Sequence, residues 1–190
     1  MTDHAENDLF GGLIYQGAFA LLWDYSQEPG DQELAVANEA NQVLLRLLTH
    51  QGEPGARGEE DASAFQAELE RIDLKLNLLL DLTAGLIREQ LNLPPAVPVK
   101  LGATAVEWRS LAPPQPDRWL RVRIFVDPVM PRPLEVYGRG VARDDGAGPN
   151  DSPGAAVGLR FAGMSQEVQD ELQRLIFRQH RKKIALQRRQ

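Results

Sequence analysis

The sequence contains no cysteine. That excludes disulfides, thiol catalysis and cysteine-based zinc sites, and it fits a reducing compartment, so the expected location is the cytoplasm. Histidine is scarce: His4, His50 and His180 are far apart, so no metal site is expected, and no cofactor. No serine sits in a Gly-x-Ser-x-Gly elbow. Without a nucleophile–base pair or a ligand cluster, the chain does not read as an enzyme. Long apolar runs are also missing. The stretch Leu9 to Trp23 is broken by Gly11, Gly12, Gln16 and Gly17 and is too short to span a bilayer. It reads as buried structure or a partner contact. The start, Met1 to Asp8, is acidic and does not read as a secretory signal.

What is present suits a folded domain. Of 190 residues, 43% are hydrophobic and 25% charged, enough for one domain with an accessory element or two small domains. The net charge of -6 argues against nucleic acid as a partner. The charge is unevenly spread: residues 174–190 hold seven Arg or Lys and no acid. A solvated helix end or a protein partner explains this better than nucleic acid, because interleaved aromatics are lacking.

Three textures divide the chain at 1–58, 59–93 and 94–190. The first is expected to be a helical region with a linker. After Glu28-Pro29-Gly30, the residues Leu34, Ala37, Asn41, Leu44, Leu45 and Leu48 recur at helical spacing from Asp31, a candidate N-cap. The glycines and proline of 50–62 mark the linker.

The second texture is a long helix ending at Pro94-Pro95. Phe65, Leu69, Ile72, Leu76, Leu79, Thr83 and Leu86 alternate steps of four and three, a repeat of about 3.5 residues and the seam of a left-handed coiled coil. Leucine at one seam position with isoleucine and leucine at the other favours a homo-oligomer larger than a dimer, a tetramer in the first instance. Leu74, Leu78, Leu80, Leu82 and Ile87 are apolar residues off that seam.

The third texture has strand character at 97–108, 119–126, 134–143 and 155–162, with turns between. A final helix, about 165–186, follows with Ser165 as N-cap and Val168, Leu172, Leu175 and Ile176 as its core stripe. The Gly138–Arg143 glycines mark strand bends rather than a dinucleotide loop, and Asp144, Asp145 and Asp151 a solvated loop rather than a calcium site.

With Pro98–Trp108, Val157–Phe161 and Arg174–Lys183, this order of elements resembles the PilZ domain, the bacterial cyclic di-GMP receptor module. The helix Leu69–Leu82 is similar to a divergent PilZ subgroup with a long oligomerising helix before the barrel. The resemblance implies an α+β fold: a six-stranded antiparallel β-barrel with a C-terminal helix, preceded by the helical region and the coiled-coil helix. It also implies a setting in motility, biofilm or virulence control.

Ligand-binding members carry Arg-x-x-x-Arg before the barrel and Asp/Asn-x-Ser-x-x-Gly on an early strand. Here the second slot falls on Lys100 to Ala105. Its key positions hold Lys100, Gly102 and Ala105, and Gln90 to Ala96 has no arginine. Cyclic di-GMP binding by the usual motifs is therefore expected to be absent or weak. The leading expectation is a non-catalytic regulatory scaffold with an unidentified protein partner. The alternative is a receptor with a displaced site using Arg139, Arg143, Arg174, Arg178 or Arg181.

Overall fold

The computed structural model describes residues 9–50, 63–91, 93–127, 130, 132–143 and 154–187. Six strands form a closed antiparallel barrel in the order β1-β2-β3-β6-β5-β4. They are β1 (Tyr15–Tyr25), β2 (Val97–Leu101), β3 (Ala105–Ser110), β4 (Trp119–Phe125), β5 (Leu134–Arg143) and β6 (Ala155–Arg160). Three helices accompany them: α1 (Asp31–His50), α2 (Ser63–Leu91) and α3 (Gln166–Gln187). The barrel and its C-terminal helix are as the resemblance implied.

Two expectations about its parts are corrected. The barrel does not lie wholly within 94–190. Its first strand comes from the region expected to be helical, and it pairs with both β2 and β4. In β1, Phe19, Leu21 and Trp23 alternate toward the core, but the residues between them are also largely apolar, so the period of two is blurred. The single strand expected over 97–108 is two, β2 and β3, joined by a tight turn in which the Gly102 N–H donates to the Ala105 carbonyl at 2.9 Å. The segment Gly102-Ala-Thr-Ala105 carries no charge or proline to mark the turn.

One core fills the barrel and continues under the helices. Val99, Leu101, Val106, Leu120, Val122, Ile124 and Leu159 lie inside, and Leu44, Leu45 and Leu48 of α1 meet Val168, Leu172 and Ile176 of α3 against them. The apolar spacing read in α1 and α3 is this buried face. Asp31 and Glu33 complement the N-terminal dipole of α1, although the first N–H of the ladder, from Leu34, is accepted by the Gly30 carbonyl. Ser165 Oγ accepts the Val168 N–H at 3.3 Å, as expected of an N-cap.

Polar contacts fix how α1 sits. Asn41, 2% exposed, accepts from the Glu135 N–H at 2.9 Å and donates to the Glu135 carbonyl at 2.6 Å, as a neighbouring strand would. One turn earlier, Asn38 accepts from Ser165 N–H at 2.9 Å and donates to the Gly163 carbonyl at 2.8 Å. Tyr137 donates its hydroxyl proton to Glu135 at 2.7 Å, with Glu33 Oε1 3.1 Å away, and Arg121 pairs with Glu135 at 2.6 Å. The phenol is held well above its usual value, first by burial and then by the Glu135 hydrogen bond.

Asn41→Leu would leave a buried N–H and C=O of β5 unpaired, so it should destabilise the fold by about 2–4 kcal/mol in urea denaturation. Tyr137 keeps its proton in the folded state at pH values where the unfolded chain releases it. Its stabilisation is complete below the ordinary phenol value of 10.0 and is lost as pH rises toward the folded value. Unfolding free energy should therefore fall as pH rises above about 10, and fall less in Tyr137→Phe.

Candidate functional site

The early-strand slot is filled by the protein itself. Lys100 Nζ lies 3.2 Å from Glu107 Oε1 across the β2–β3 pair, and Glu107 is buried. Ala105 is fully buried against Leu9 and Phe10. At Gly102 a Cβ would come 2.7 Å from Phe10 Cδ1, so glycine is needed for the phenylalanine ring to lie there. Thr104 Oγ1 donates to the Phe10 carbonyl at 3.2 Å. The N-terminal Leu9-Phe10 segment thus covers these positions. The apolar pair was visible in the sequence, but its destination depended on β1 running beside β2.

The candidate arginines are scattered. Arg139 is exposed and stacks over Trp119 at 5.2 Å on the outer face of β4 and β5. Arg143 ends β5, and its side chain lies outside the described residues, as do the side chain of Phe65, the Asp144–Asp151 loop and Arg188 and Arg189. Arg174 pairs with Glu171 at 3.0 Å one turn back on α3, and Arg181 lies 6.0 Å over the Phe177 ring. Arg178 donates to the carbonyls of Leu48 and Thr49, two carbonyls at the C-terminus of α1. Such terminal carbonyls have no partner within their helix, and a cation there also meets the negative end of the dipole. Of these, Arg139, Arg174, Arg178 and Arg181 are held elsewhere than at the Lys100–Ala105 slot.

Helix α2 is the other candidate. No extended contact joins it to the barrel or to another helix among the described residues. Its seam is open: Leu69, Ile72, Leu76, Leu79 and Leu86 are between 45% and 63% exposed, and Thr83 is exposed, its hydroxyl bonded to the Leu79 carbonyl. Leu74, Leu78 and Leu82 are as open on another face.

A family model described as "Atypical PilZ domain, cyclic di-GMP receptor" matches residues 44–189. The chain belongs to the atypical PilZ family. A solved structure from Xanthomonas campestris is similar over 96% of this PilZ chain and 97% of its own, with TM-score 0.70 and 22% identity. It is described as a tetrameric PilZ domain self-assembled via an unusual helical bundle. No curated protein matches. Strand β1 and the Leu9-Phe10 cover lie ahead of the matched PilZ region, yet β1 completes this PilZ barrel. Among the described residues, no helix is long and apolar enough to cross a membrane.

Arg178→Ala should lower stability by about 1–2 kcal/mol through the freed α1 carbonyls, measured by urea denaturation, and Arg174→Ala by a few tenths at most.

Proposed function

We propose that this PilZ protein is a non-catalytic scaffold that self-associates through α2 and displays its barrels to a protein partner. The observation that carries the reading is the open apolar surface of α2. A leucine half-exposed in the single chain contributes about 1 kcal/mol when an interface covers it. Eight such Leu and Ile side chains stand among the described residues of α2. They fall in two stripes, one along the heptad seam and one along Leu74, Leu78 and Leu82. At 3.6 residues per turn, the stripe centres lie about 120° apart around the helix. A two-stranded coil covers one stripe; a helix touching two neighbours covers both. This supports the tetramer, and the similar Xanthomonas protein is described as one. The proposed units are the N-terminal region 1–58, the helix 59–93 and the barrel region 94–190, with β1 lent to the barrel.

Cyclic di-GMP binding by the usual motifs is proposed to be absent or weak. The support is chemical. Phosphate recognition needs convergent guanidinium groups, and guanine recognition needs polar groups facing the ligand. Here the slot presents a paired lysine, a glycine under a phenylalanine ring and a buried alanine. A cytoplasmic setting in cyclic di-GMP-linked control of motility, biofilm or virulence accompanies this reading through the family.

Light scattering after size exclusion should give four chains per particle at micromolar concentration. Ile72→Asp with Leu79→Asp should give monomers with the barrel's β signal retained; a monomeric wild type would sink the proposal. Calorimetric titration with cyclic di-GMP should show no saturable micromolar binding. Binding that Arg139→Ala abolishes would establish the displaced-site receptor instead.

A further inference from the structure

The two ends of the barrel differ. Leu48 of α1 and Leu175 of α3 lie against the end formed by Tyr15, Leu101 and Val126. The opposite end opens into a cavity of about 440 Å³, within the size range of small-molecule sites. Its walls are Leu21, Trp23, Val97 and Trp108, with Pro94 and Pro95 on the approach to β2 and Arg109, whose guanidinium donates to the Gly154 carbonyl at 3.0 Å, at the end of β3. The Trp108 indole N–H is buried and has no acceptor in the protein. The aromatic wall continues outward. Tyr25 meets Trp23 edge to face at 5.5 Å, and the Arg118 guanidinium lies 5.1 Å over the Tyr25 ring. The Tyr25 hydroxyl accepts the Gln115 N–H at 2.9 Å, so the loop carrying Arg118 is held at this rim.

An arginine stacked on an exposed ring keeps its charge facing water. The cavity therefore has an apolar, ring-lined interior with the Arg109 guanidinium, tied to Gly154, in its lining, and the Arg118 guanidinium lies beyond it across the Tyr25 ring. We propose that it binds a small elongated organic anion: a ring-bearing or aliphatic body seated between Trp23 and Trp108, with a carboxylate-type or sulfonate-type group directed to Arg118. The charge complementarity selects an anion over a neutral lipid, and the cavity volume selects a small molecule over a protein segment. Pro94 and Pro95 also join α2 to the barrel, so an occupant would touch the base of the proposed oligomerisation helix. The binding itself does not depend on that helix's assembly.

Two fluorescent probes test this with the full-length chain: 1-anilinonaphthalene-8-sulfonate and N-phenyl-1-naphthylamine, which differ by the sulfonate. Each should bind once per chain, the sulfonate more tightly. Arg118→Gln should weaken the sulfonate about three-fold and leave the neutral probe unchanged. Val97→Trp should abolish both by filling the mouth, with the far-UV signal unaltered. Ala112→Trp fills it from the exposed loop and should give the same loss, should Val97→Trp disturb β2. Failure to saturate at one per chain, binding that survives both fillings, or an Arg118→Gln effect equal on the two probes would each overturn the proposal. Exclusion of both probes because a neighbouring copy fills the mouth would overturn it as well.

Discussion

Eleven residues, Tyr15–Tyr25, close the barrel by pairing with β2 along one edge and β4 along the other. A sheet with two unpaired edges is prone to add further strands, and closure removes both edges. The cost is topological: the chain must leave at Tyr25 and return at Val97. Everything between is an insertion, and the insertion contains α1 and α2. Helix α1 folds back because its apolar stripe and its two asparagines have partners on β5 and before α3. Among the described residues helix α2 has no such extended contacts, and it presents leucine on two faces. The same closure directs Leu9 and Phe10 onto β3, where a nucleotide-reading motif would need open polar side chains.

The arginines show how a fold can absorb a chemically suggestive residue. Arg178 is cationic, lies in a basic stretch and forms an Arg-x-x-x-Arg pair with Arg174. Its guanidinium instead satisfies carbonyls at the end of α1. Arg121 and Arg123 tie β4 to its neighbours through Glu135 and Asp24. Arg139 and Arg118 stack on aromatic rings. Phosphate binding requires convergence as well as charge, and these groups point to different places.

Much of the fold was legible where one face alone is buried. The stripes of α1 and α3 and the alternation in β4 match their buried faces, since a half-buried element must repeat with its own period. Strand β1 was not legible. Its outward residues include Ala18, Ala20 and Leu22, so the alternation that identifies a strand is diluted. The β2–β3 turn was hidden for a similar reason, because Gly102-Ala-Thr-Ala105 carries no charge or proline. The residue types at Lys100, Gly102 and Ala105 could be read directly. The Leu9-Phe10 cover and the aromatic mouth could not, because they join residues brought together only by strand pairing.

The sequence alone determined the 3.5-residue repeat of apolar side chains in α2 and the residue types at Lys100, Gly102 and Ala105. Those are properties of residue type and near spacing, and a helix preserves near spacing. Tertiary structure decided which residues close the barrel, which arginines are occupied and where a cavity remains. These depend on contacts between residues far apart in sequence, such as Trp23 and Trp108 in one wall or Asn41 and Glu135 in one hydrogen-bonded pair. No local period encodes them, because strand register and helix docking place such residues together only when the whole core is filled.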